Sequence, residues 1–70
     1  MALFIIRIQD KPDGGVTRTV MGGSYGDRQE AITAVEKLLT EYPQHGPNDE
    51  QGYWWANATD GQRYRFVIES

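Results

Sequence analysis

Only one stretch of this chain has helical periodicity, and it lies between two segments that read as paired strands. Ala31, Val35, Leu38 and Tyr42 recur at helical spacing, and Ile32 and Leu39 widen the stripe. Asp27 stands where an N-cap belongs, with Glu30 at the third helical position, so aspartate and glutamate can satisfy the exposed amides of the first turn. Pro43 forces the residue before it out of the helical region, which predicts a helix of roughly four turns.

On either side the residues change character. Leu3 to Gln9 and Val16 to Met21 are rich in aliphatic and β-branched side chains, and Asp10-Lys11-Pro12-Asp13-Gly14-Gly15 between them carries the residues of a hairpin turn. Gly22-Gly23-Ser24-Tyr25-Gly26 is expected to break the second strand before the helix. Tyr53 to Asn57 and Arg63 to Ile68 form a second strand pair, and Asp60-Gly61 between them signals a two-residue turn of the I′ type. The two hairpins show no shared pattern at this level. Pro43 to Gly52 reads as a polar loop, long enough to be mobile or functional.

The expected fold is therefore a single α+β domain over residues 1–70, in ββαββ order. It has a four-stranded, mostly antiparallel sheet with one helix packed on one face. Placing the apolar first and fourth strands centrally gives the order 2-1-4-3.

Strand parity decides which side chains meet the helix. A two-residue Asp60-Gly61 loop sets Trp55 opposite Phe66, Tyr53 opposite Ile68 and Asn57 opposite Tyr64, all on the helix side. Phe4, Ile6 and Ile8 are the larger set in the first strand and join them. The outer face then carries Leu3, Ile5, Arg7, Trp54, Ala56, Arg63, Arg65 and Val67, while the parity of Arg18 stays open. A solvated sheet face is normally polar, so a tryptophan, aliphatics and arginines there are unusual.

Three readings of that face compete. It is a solvated surface with Arg65 stacked on Trp54, or a self-association or protein-binding surface, or a stacking platform for nucleotides or single-stranded nucleic acid. The candidate binding residues are Trp54, Arg7, Arg63, Arg65, Ile5 and Val67. A formal charge of −3 argues against nucleic acid, which takes much of its affinity from basic groups. The leading expectation is an interaction module, partnered by a second copy of itself or another protein, with nucleic-acid binding as the alternative.

Size sharpens that expectation. A chain of 70 residues buries only roughly 60% of the surface its unfolded form exposes, and scaffolds of this size often need a staple. No cysteine is present, so disulfides are excluded, and a single histidine leaves a zinc site without ligands. A well-packed core or a partner remains.

Other features carry less. The glycine-rich segment before the helix lacks the lysine and spacing of a phosphate loop, and Asp27 occupies the place of the anion. His45 lies near Asp49 and Glu50, too few ligands for a metal centre, and reads as a solvated loop residue. Two serines and one histidine in no recognisable arrangement supply no nucleophile and base, so no catalytic residue, cofactor or enzymatic activity is expected. Asn57-Ala58-Thr59 matches a glycosylation sequon, but without a secretory signal it is a matter of composition. The apolar run Ala2 to Ile6 is cut short by Arg7 and has no basic segment before it, so neither a membrane span nor a signal peptide is expected, and a cytoplasmic location is.

Overall fold

The computed structural model describes residues 2–48 and 52–70. Their order is β1 (Leu3–Asp10), β2 (Val16–Tyr25), α1 (Arg28–Leu39), β3 (Gln44–Asn48), β4 (Tyr53–Asn57) and β5 (Arg63–Glu69). The strands form one antiparallel sheet in the order β2-β1-β5-β4-β3, and the helix lies on one face. The α+β class is as expected, and the four anticipated strands take the anticipated neighbours. The sheet has five strands rather than four, however.

The additional strand, β3, occupies part of the segment read as a polar loop. Its residues, Gln44-His45-Gly46-Pro47-Asn48, have almost no strand propensity. β3 pairs only with β4, at the edge of the sheet, where proline is tolerated because its missing amide faces outward. Pairing with a neighbour, not local preference, makes it a strand.

Both hairpins turn through the same structure. The Lys11 amide donates to the Gly15 carbonyl at 2.9 Å and the Gly14 amide to the Lys11 carbonyl at 3.1 Å; the Ala58 amide donates to Gln62 at 2.9 Å and the Gly61 amide to Ala58 at 3.1 Å. Gly14 and Gly61 have φ of +90° and +89°. Asp13 and Asp60 each accept, through Oδ1, the amide two residues on, at 2.9 and 3.0 Å. These are three-residue loops closed by a left-handed glycine, so Asp60-Gly61 does not form the expected two-residue I′ turn. The shared pattern is the Asp-Gly pair at matching positions.

That one extra loop residue slips the register of β4 on β5. Trp54 lies opposite Phe66 and Trp55 opposite Arg65. A slip of one residue turns every side chain of a strand to the other face. Ala56 and Trp54 therefore point toward the helix, and Tyr53, Trp55 and Asn57 point away from it, the reverse of the expectation.

β1 is reversed as well. The core is built from Ile5, Val35, Leu39, Ala56 and Phe66, with Met21, Leu38, Tyr42, Trp54, Tyr64 and Ile68 packed against it. Ile5 faces the helix, whereas Phe4, Ile6 and Ile8 lie on the opposite side. β1 is a central strand buried on both faces, so it lacks the alternation that would have revealed its parity.

The helix begins as expected. Asp27 is extended, and its Oδ1 accepts the Glu30 amide at 2.8 Å. The regular helix ends at Leu39, short of the expected four turns; Thr40, Glu41 and Tyr42 continue with i to i−3 bonds to Lys37, Leu38 and Leu39. This tighter turn still delivers Tyr42 to Tyr64 and Phe66, with ring centroids 5.5 and 5.9 Å apart. β2 also runs further than expected, through the glycines to Tyr25. It does so by a bulge opposite the Leu3–Ile5 segment, where Gly22 adopts φ +75°.

Candidate functional site

The sheet face without a helix is the most unusual surface of the molecule. In the middle of it, Ile6 sits between Val20 of β2 and Val67 of β5, and Ile8 between Arg18 and Arg65. Ile6 and Ile8 are only 8% and 9% exposed although no helix covers them. Their shelter comes from side chains of the same face.

Two arginines flank that row, one on either side of Ile8. Arg18 forms an ion pair with Glu69, and Arg65 pairs with Asp10 at 2.8 Å. Arg18 is opposite Ile8 and Glu69 opposite Phe4, so the first pair reaches across β1 at the position of Ile6. Long arginine stems can cover apolar neighbours while the charged end stays in water, and here the ion-paired ends are part-exposed although Arg65 Nε is buried without a hydrogen-bond partner. Arg65 also lies 5.8 Å from the centroid of the Tyr53 ring.

Trp55 sits at the far side of the same face, against Gly46 of β3. A Cβ on Gly46 would meet its indole at 3.1 Å, so the missing side chain is what lets the ring lie on the edge strand. Phe4, Val16, Val20 and Trp55 are 36%, 52%, 55% and 36% exposed, and among the described residues these are the large hydrophobics left open to solvent. All four lie on this one face.

The residues expected to form an outer binding face are thus divided. Arg63, Arg65 and Val67 are on the helix-free face. Ile5 is fully buried in the core and Trp54 packs against it from the helix side. Arg7 is also on the helix side, opposite Phe66, with its guanidinium 5.0 Å from the centroid of the Tyr64 ring. Its Nε is buried without a hydrogen-bond partner. Arg65 does not stack on Trp54, because the two point to opposite faces. Sequence reasoning missed Phe4, Ile6, Ile8, Val16, Val20 and Trp55 as members of the open face. The repeated Asp-Gly turn was the signal that, read as a three-residue loop, would have placed Trp55 there.

The remaining sequence features separate. His45 lies in β3, exposed, with Nδ1 3.2 Å from the Tyr42 carbonyl oxygen. Asp49 and Glu50, proposed neighbours of that histidine, lie outside the described residues. Among the described residues no group of three or more His, Cys, Asp or Glu is placed to hold a metal. Shallow grooves flank α1, among them one lined by Met21, Tyr25, Lys37 and Leu38 and one lined by Glu36, Leu39, His45 and Trp54. No described helix is long and apolar enough to cross a membrane.

Compared with known proteins, the chain matches no family model, no curated sequence and no solved structure.

Proposed function

We propose that this chain is a small interaction module whose docking surface is the helix-free sheet face, and that a second copy of the chain is its partner. The observation carrying this reading is the confinement of Phe4, Val16, Val20 and Trp55 to one face. Contiguous apolar surface framed by polar groups is characteristic of interfaces, and tryptophan and arginine are prominent in their energetics.

Area and charge favour a second copy. Five strands spaced about 4.8 Å apart, each about 20 Å long, present on the order of 500 Å² per face, so stacking two faces removes about 1,000 Å², where specific interfaces begin. The face also carries both signs of charge, Arg18, Arg63 and Arg65 against Asp10 and Glu69, which lets one copy complement another. Sheets stack face to face about 10 Å apart, a distance that side chains of this size fill. The nucleotide-stacking alternative needs Trp54 and the arginines on one surface, and Trp54 and Arg7 lie on the opposite side from Arg63 and Arg65.

Sedimentation equilibrium across micromolar concentrations tests the reading. The wild-type chain is expected to exceed the mass of a single chain, and a Phe4→Lys/Trp55→Lys double variant to lower the average mass at every concentration. Equal masses for the two proteins would remove the face from consideration.

A further inference from the structure

The two edges of the sheet are not alike. β3 is five residues long and holds Pro47, which cannot donate a hydrogen bond. β2 spans ten residues without a proline, and β1 pairs with only one of its sides. Natural edges are blunted by charges, prolines or bulges. Within Val16–Met21 the one charge is Arg18, and its guanidinium is drawn back across the sheet to Glu69, away from the edge.

The hairpin fixes which backbone groups that edge offers. Lys11 and Gly15 form the hydrogen-bonded closing pair. Bonded and non-bonded pairs alternate in an antiparallel ladder, so Thr17, Thr19 and Met21 bond to β1. Val16, Arg18 and Val20 therefore aim their amides and carbonyls outward. Val16 and Val20 are also the two most exposed large hydrophobics among the described residues.

We infer that β2 pairs antiparallel with β2 of a second copy, with Thr19 on the two-fold axis, joining two sheets edge to edge. Three registers centred on the strand bring outward groups together. Centring on Arg18 sets two arginines directly opposite each other, which is destabilising. Centring on Val20 sets Gly22, whose φ of +75° takes the backbone out of strand geometry, against Arg18 beside the axis, whereas centring on Thr19 moves Gly22 out to the last pair, opposite Val16. Centring on Thr19 sets Arg18 opposite Val20 of the other copy and Thr17 opposite Met21, without a like-charge pair. It also joins the two helix-free faces side by side, with the exposed valines at the seam. This inference concerns the edge and goes beyond the face-docking reading.

The absence of native cysteine makes the register directly readable. Thr19 would form a non-hydrogen-bonded pair with itself, with Cα atoms about 4.5 Å apart, inside the range a disulfide spans. Thr19→Cys is expected to give a disulfide-linked dimer under mild oxidation, several-fold above Thr33→Cys, which places an exposed thiol on the helix. The same trapping is expected in the Phe4→Lys/Trp55→Lys background. Trapping at Thr19 no greater than at Thr33 overturns the edge pairing and leaves the face reading intact. Trapping lost in the face-variant background assigns the contact to the stacked faces and likewise overturns it, as does stronger trapping by Arg18→Cys. Amide exchange on the wild-type chain gives an answer independent of any variant. The Arg18 and Val20 amides are expected to slow at least tenfold between dilute and concentrated solution, and exchange that stays independent of concentration refutes the pairing.

Discussion

Arg18 of β2 reaches over β1 to Glu69 of β5, and the pair they form spans the position of Ile6. It links two strands that are not neighbours, and it crosses β1 at an isoleucine for which the fold supplies no helix. Both side chains are about half exposed, at 51% and 46%. The contact therefore matters more for what it shelters than for its Coulomb energy.

Removing the charge tests that division. Glu69→Gln is expected to change unfolding free energy by less than about 1 kcal/mol, the usual worth of an exposed pair. It should nevertheless raise binding of a hydrophobic dye such as ANS to the folded protein, by freeing the Arg18 stem from Ile6. Urea unfolding and dye fluorescence measured on one sample separate the two effects.

Gly61 and Gly23 make a matched pair for testing the turn. A Cβ meets nothing within 4 Å at either position, but Gly61 has φ +89° and Gly23 is not among the glycines with positive φ. Gly61→Ala is expected to cost about 1–2 kcal/mol from the left-handed conformation alone, while Gly23→Ala stays within about 0.5 kcal/mol. Thermal unfolding of both variants against wild type decides it. Equal effects would mean that the three-residue loop is misassigned.

Gly46 is constrained by space instead of dihedral. Gly46→Ala drives a methyl into the Trp55 indole at 3.1 Å and should displace the ring from β3. Acrylamide quenching in a Trp54→Phe background, where Trp55 is the sole tryptophan, is expected to increase when Gly46→Ala is added. Unchanged quenching would place the ring elsewhere.

The helix start depends on a single side chain. Asp27 Oδ1 accepts the Glu30 amide at 2.8 Å, and Asp27→Ala is expected to destabilise the fold by about 1 kcal/mol. Asp27→Ser should restore most of it, because serine also accepts that bond. Chemical denaturation of the three proteins checks the order.

Much of this architecture was legible from local signals. Asp27 and the stripe of Ala31, Val35, Leu38 and Tyr42 carried the helix, although Pro43 set its expected end beyond Leu39, and proline, glycine and Asp60-Gly61 carried the two hairpins, because capping, periodicity and turn chemistry act over a few residues. The strand order followed from which segments were most apolar. β3 was not legible: Gln44 to Asn48 is extended only because β4 offers it a ladder, and no side chain in it asks for one.

The candidate surface was read as a composition and mislaid as a location. An apolar, arginine-bearing sheet face was expected from strand parity, which placed Trp54, Arg7, Arg63 and Arg65 on it together. Which tryptophan it held turned on whether the last hairpin loop had two residues or three, and which isoleucines it held turned on the parity of a strand buried from both sides. Side chains alternate with a period of two, so each question has a binary answer that composition leaves untouched. Local residue patterns set every element except β3, and the order in which they follow one another. Which residues the helix-free face carries depends on the folded sheet, because register follows from turn length and from the pairing of neighbouring strands, not from the preference of any single strand residue.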